Sequence, residues 1–180
     1  MTTATLPLYA QLRDRMPFSC LSDFQFTSLL ASARHEDVPN GAVLIEQGAP
    51  DRDFLILLEG ELEIRRRYLS SSNAEELEVG RVLPGQGVGE FALLLGVPRQ
   101  ASVRAVGPSK VLRIDSERME ELLAWSQRFA DDLRDTAGFR TRMNLVRQVA
   151  PFRQLPLERV RMAFECMQPL ELKAGATVVR

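Results

Sequence analysis

Apolar residues at the start of the chain fall at helical spacing. Leu8, Leu12 and Met16 recur four positions apart before Pro17 interrupts them. A second helix is expected from Ser22, with Asp23 in its first turn and Phe26, Leu29, Leu30 and Ala33 on one face. From His35 the pattern changes to short apolar runs separated by turns. Val43, Leu44 and Ile45 precede Gln47-Gly48-Ala49-Pro50, residues 54–58 are all apolar, and Glu59-Gly60 leads to the alternating Leu62 and Ile64. Residues 69–74, with three consecutive serines, read as a polar loop, and strand texture returns at 77–83, 101–106 and 111–114. Past Asp115 the helical period resumes. Ser116 is expected to cap a helix carrying Met119, Leu122 and Leu123, and Phe129, Ala130 and Leu133 extend the pattern to an end near Gly138. The expected fold is α+β and mainly β: an antiparallel β-roll, a jelly-roll-like barrel, flanked by N- and C-terminal helices.

The last stretch repeats the first. Residues 13–46 align with 147–180 without a gap at a constant offset of 134. Pro17-Phe18 then meets Pro151-Phe152, Leu21 meets Leu155, Gly41-Ala42 meets Gly175-Ala176, and Val43-Leu44-Ile45 meets Thr177-Val178-Val179. The expectation is one complete domain over 1–138. Residues 139–180 would hold a helical linker and the start of a second copy, too short to bury a core of its own, within a longer polypeptide.

Composition narrows the function. The 180 residues are 45% apolar and 26% charged, an ordinary globular balance. Lys plus Arg (23) nearly cancel Asp plus Glu (24), so there is no broad basic field to attract nucleic acid or an anionic membrane. The longest apolar run, 54–58, is far too short to cross a bilayer, and the N-terminus carries no secretory pattern. Cys20 and Cys166 are no disulfide framework and read as buried core thiols, which with the rest suits a cytoplasmic setting. His35, the only histidine, reads as structural. A single histidine can supply neither the ligand set of a barrel metalloenzyme nor the base of a nucleophile triad in any recognisable motif. Arg65-Arg66-Arg67 reads as a solvated strand end, and Trp125, Phe129 and Phe139 as helix-packing residues.

One stretch concentrates chemistry, from Gly85 to Val103. Glycines lead off a strand, Glu90 follows, then a helix-forming run through Leu95, and a Gly96/Pro98 break delivers Arg99 at the mouth of the next strand. The N-terminus of a short helix offers unpaired N–H groups, and Arg99 adds a charged fork matched to phosphate oxygens. Glu90 supplies an acceptor for hydroxyls, so the segment describes a sugar-phosphate site. The bland alternative for Glu90 and Arg99 is a surface salt bridge joining two loops.

The pattern Gly-Glu-x-Ala-Leu, a short spacer, then Pro-Arg-x-Ala-Ser-Val resembles the phosphate-binding cassette of the cyclic-nucleotide-binding domain family. That family includes catabolite activator proteins, regulatory subunits of cAMP-dependent kinase and cyclic-nucleotide-gated channels. Gly48, Gly60 and Gly85 stand at matching landmarks, and the resemblance covers roughly residues 8–133. It implies that Glu90 accepts from the ribose 2′-hydroxyl and that Arg99 pairs with the cyclic phosphate. Backbone amides near Phe91 and Ala92, and around Gln100 and Ala101, would complete the cradle. Gly89 would let the backbone approach closely, and Ser102 stands where members carry Thr or Ser. Two departures are Gln100 after the arginine, where cGMP binders often carry Thr, and Phe91 in place of the commoner Leu. The resemblance implies cAMP as ligand with cGMP open, no cofactor, and no direct nucleic-acid binding or membrane insertion by this segment. It also implies an effector, either beyond residue 180 or as a separate protein, and is compatible with a homodimer. A regulatory, non-catalytic domain is expected, its C-terminal helices moving on binding. A ligand-free scaffold of the same fold and the receptor domain of a transcription regulator are the alternatives.

Overall fold

The structure is a computed structural model that describes residues 6–15, 17–69 and 74–167, together with positions 173, 175 and 177. Helix α1 (Leu6–Arg13), a 3₁₀ turn (Phe18–Cys20) and α2 (Asp23–Ser32) lead into eight described strands. These are β1 (Arg34–Val38), β2 (Val43–Ile45), β3 (Phe54–Glu59), β4 (Leu62–Leu69), β5 (Ala74–Val82), β6 (Gly87–Val88), β7 (Ser102–Ala105) and β8 (Ser109–Ile114). Helix α3 (Glu90–Leu95) interrupts them. After the last strand come α4 (Ser116–Trp125), α5 (Gln127–Gln148), α6 (Ala150–Arg153) and α7 (Leu157–Glu165). The strands form two four-stranded antiparallel sheets, ordered β1-β8-β3-β6 and β2-β7-β4-β5. The expected roll is present as two facing sheets that do not join into one closed ladder.

The unbroken apolar run at 54–58 is explained by two cores meeting on β3. Phe54, Ile56 and Leu58 turn to the helical side, with Phe18, Leu29, Leu112, Ile114, Met119 and Phe129. Leu55 and Leu57 turn to the space between the sheets, with Leu62, Val82, Val88, Val103 and Val111. A strand buried on both faces needs no polar alternation. The N-terminal helices therefore pack on the same sheet face as α4 and α5, and Phe18 meets Phe129 at 6.0 Å between ring centroids.

Local signals set two helix starts, those of α2 and α5. Ser22 and Gln25 form a reciprocal capping box at the start of α2. At α4 the expected cap is shifted by one. Asp115, not Ser116, is the N-cap, and its carboxylate pairs with Arg34 at 2.5 Å instead of capping the helix. The helix expected to end near Gly138 instead starts afresh at Ser126 and continues to Gln148. Buried Met143 and a contact made by Arg140 hold it past the glycine, outweighing the roughly 1 kcal/mol cost of glycine in a helix. The two cysteines are not joined in a disulfide, as expected, but neither is a buried core thiol: Cys20 is half-buried and Cys166 exposed, because each sits at the end of a helical turn.

Within α5, burial first, and the neighbouring Asp135 second, hold the Asp132 carboxyl above the usual carboxylate range. Its charged form is thus disfavoured by folding, a cost present at neutral pH and relieved as pH falls through the raised value. Asp132→Asn is expected to raise the melting temperature by roughly 1–3 °C at pH 7. The gain should fade as pH approaches about 4. Thermal melts of both proteins at several pH values check this.

At the 134-residue offset the first residue of α2 falls on the first residue of α7, and the buried Phe26 falls on the buried Val160. Gly41 and Gly175 both take positive φ, +80° and +85°. Val178 and Val179, the end of the expected second strand, lie outside the described residues. Among the described residues no helix is long and apolar enough to cross a membrane.

Candidate functional site

The segment from Gly85 to Val103 lies where α5 crosses the mouth of the sandwich. Gly89, at φ +103°, is the N-cap of α3 and has no side chain with which to satisfy the first N–H groups of that helix. Glu90, Phe91 and Ala92 form its first turn. A cavity of about 470 Å³ opens here, lined by Val88 to Ala92, Arg99, Gln100 and Ala101, by Ile45, Ile64 and Val103 from the strands, and by Arg140 and Asn144 from α5. Seven of the eight expected site residues line it. The eighth, Ser102, does not, because its hydroxyl accepts from the Gln47 N–H at 3.0 Å and ties two strand ends.

Arg99 is only 3% exposed. Its Nε donates to the Asp51 carboxylate at 3.1 Å, and Nη2 reaches the same oxygen. Nη2 also donates to the Asp53 carbonyl at 2.6 Å, and Nη1 to the Gly89 carbonyl at 3.2 Å. The backbone is held too: Gly48 N–H donates to Arg99 O at 2.8 Å and Arg99 N–H to Ala49 O at 2.9 Å. The whole loop between β2 and β3 thus cradles the arginine. That loop is itself pinned, since the Asp53 carboxylate lies 3.6 Å from Arg34 and 3.8 Å from Arg113.

Glu90 is 2% exposed and accepts from Arg140 Nη1 at 2.6 Å. Arg140 Nη2 donates to the Gly87 carbonyl at 2.9 Å. The carboxylate expected to meet a ribose hydroxyl is therefore bonded to the long C-terminal helix, and Arg140 latches α5 onto the cassette. A carboxylate has about four lone-pair sites, so Glu90 keeps capacity for a second donor. Gln100 turns its amide back onto its own loop, donating to Pro98 O at 2.9 Å.

Beyond Arg140 lies a second, wider cavity of about 850 Å³. It shares Ile64, Arg140 and Asn144 with the first and adds Val79, Gly80 and Gln86 below, Phe139 and Met143 on α5, and Leu157 and Arg161 on α7. Of the three aromatic residues expected to pack helices, Phe139 alone lines this space, and its ring meets Phe164 edge-on at 5.2 Å. Phe129 is in the helical core, and Trp125 is exposed beside Arg118. The three consecutive arginines lie within β4, where Arg65 pairs with Glu63 and Glu76 and Arg66 lies over Tyr68.

Asp51 and Arg140 escaped the sequence reading. Asp51 belongs to a short acidic loop whose proximity to Arg99 depends on a contact across 48 residues. Arg140 lay beyond the expected end of its helix. Among the described residues no group of three or more His, Cys, Asp or Glu side chains is placed to hold a metal ion.

The cyclic nucleotide-binding domain family matches residues 35–125, from β1 through the end of α4. The chain belongs to that family. Solved structures of several kinds share its fold. The sensor domain of the transcriptional regulator DNR from Pseudomonas aeruginosa superposes with a TM-score of 0.60 at 25% identity, over 73% of this chain and 91% of that one. A regulatory subunit of a cAMP-independent protein kinase A from Trypanosoma brucei, a mutant solved with cAMP in its A site, gives 0.63 at 19% identity, over 90% of this chain. This chain spans 53% of that subunit. The catabolite activator protein of Thermus thermophilus gives 0.61 at 21% identity, over 86% of this chain and 63% of that one.

Proposed function

We propose that this cyclic nucleotide-binding domain is a non-catalytic receptor for cAMP, the first of two such units in a cytoplasmic signalling protein. The observation that carries the reading is the pairing of two buried charged side chains, Arg99 and Glu90, in the wall of one cavity. In this reading the cyclic phosphate meets Arg99 and the open amides of α3, the ribose hydroxyl meets Glu90, and the base extends past Arg140 into the second cavity. Arg99 would keep its Asp51 bond and turn Nη1 from Gly89 to the ligand. Glu90 would accept the ribose hydroxyl beside or in place of Arg140. Either change alters the hold on α5, so ligand biases the lid through its differential affinity for the two lid positions. The 134-residue repeat, with α7 in the place of α2, supports a second unit whose counterpart of α2 rides on this lid and passes the change onward.

Calorimetric titration of the chain with cAMP and with cGMP tests the ligand. Micromolar or tighter binding of cAMP, weaker for cGMP, supports the reading; no heat and no thermal shift with either makes this a scaffold of the same fold. Arg140→Ala tests the coupling. It is expected to leave cAMP bound within about tenfold, as for loss of one charged hydrogen bond. It should also abolish the ligand-induced change in amide exchange along residues 139–148. A wild-type response in that variant would remove Arg140 from the mechanism.

A further inference from the structure

The chain enters the cassette through a tight turn at residues 83–86. Gln86 N–H donates to Leu83 O at 3.0 Å, Pro84 stands second, and Gly85 stands third with φ +85°. Proline then a positive-φ glycine at these places is the pattern of a type II turn, which differs from type I in the orientation of its central peptide. Both ends of that peptide are held. Gly85 N–H donates to Leu57 O at 2.8 Å, and Pro84 O accepts from Arg15 Nη1 at 2.9 Å. The stem of Arg15 also lies over the turn, so close that a methyl group on Gly85 would come within 2.8 Å of Arg15 Cδ.

Arg15 is delivered from a fixed place. Its N–H donates to Leu12 O at 3.1 Å and its carbonyl accepts from Ser19 N–H at 2.9 Å, between the buried Leu12 and Phe18. On the far side of the turn, Gly87 O accepts from Arg140, and Gly89 and Glu90 follow directly. A flip of the Pro84–Gly85 peptide would break the Leu57 bond and re-aim the backbone that positions these groups. We infer that Arg15 is a positioning residue for the nucleotide site, locking the peptide plane from which the cassette departs. The inference rests on the receptor reading above. It ties α1 to ligand affinity, and it is private to the first unit, since the repeat places Val149 where Arg15 stands.

The test uses the 180-residue chain with Arg15→Ala, Arg15→Lys and, as a control on the exposed face of α5, Arg134→Ala. Amide exchange is followed in the ligand-free proteins, and cAMP affinity is measured by calorimetry. Loss of one charged hydrogen bond at an exposed site is expected to speed exchange at Gly85 about 3–10-fold and to weaken cAMP binding by a similar factor. The melting temperature should match that of the control, and Arg15→Lys, which keeps a donor, should recover most of both effects. Unchanged exchange at Gly85 overturns the inference, as does acceleration spread evenly over β3 and β8. Should wild-type protein bind no cAMP, the receptor reading fails on its own. Exchange confined to residues 85–90 would then still establish the lock, and its absence would remove it.

Discussion

Arg99→Ala is expected to lower cAMP affinity by a factor of about 100 to 1,000, the loss of two charge-assisted hydrogen bonds to phosphate. The same change should destabilise the fold, because Arg99 also holds the loop between β2 and β3 and the Gly89 carbonyl. Its removal strips donors from the Asp53 and Gly89 carbonyls and leaves the Asp51 carboxylate without its partner. Asp51 is 46% exposed and can turn to water, so the cost is set by the carbonyls, roughly 1–3 kcal/mol. Arg99→Lys separates the two roles. A lysine keeps the charge but not the planar fork, so it should regain part of the stability and little of the affinity. Urea unfolding beside calorimetric titration reads both quantities. Retention of tight cAMP binding by the alanine variant would place the phosphate elsewhere.

Gly89→Ala is expected to be the more damaging change to the fold. At φ +103° a side chain is strained, and the added methyl would lie 2.7 Å from both the Asp53 carbonyl oxygen and Arg99 Nη1. Asp53 O is backbone and cannot swing away, so the cassette must lift from β3 or Arg99 must leave its seat. Strain and displacement together should cost about 2–4 kcal/mol and remove measurable cAMP binding. Gly96 provides the comparison. It caps the other end of the same helix at φ +63° with nothing within 4 Å of an added methyl, so Gly96→Ala should cost only about 1–2 kcal/mol. Equal losses from the two substitutions would mean that backbone strain alone, and not contact with the Arg99 cradle, governs Gly89.

What could be read from the chain follows a physical division. That Gly89, Glu90 and Arg99 gather at one cavity was legible because all three fall within one continuous segment. The strand at 54–58 was legible as an element, but its uniform apolarity hid which residues face which core. Asp51 was not legible, since its role arises from a loop folded back against a residue 48 positions away. The end of α5 was misjudged at Gly138 because local propensity argued for a stop while Met143 and the Arg140–Glu90 bond argued for continuation. Asp115 took the cap from Ser116 for a similar reason: an ion pair to Arg34, distant in sequence, fixed the residue that begins the turn. In each case the sequence carried the local preference and the distant partner decided the outcome.

The double burial of β3 has one more consequence. Odd and even positions of a single six-residue strand form a party wall, with the helical layer as one tenant and the space between the sheets as the other. A slip of one residue would exchange their furnishings, sending Phe54 into the narrow gap between the sheets and Leu55 toward the helices. The ring of Phe54 also fills the space beside Gly87, where a methyl group would collide with it. The alignment of one strand therefore sets the seat of the helices, the depth of the roll and the floor of the Gly85–Val103 segment together, and none of the three can drift without the others.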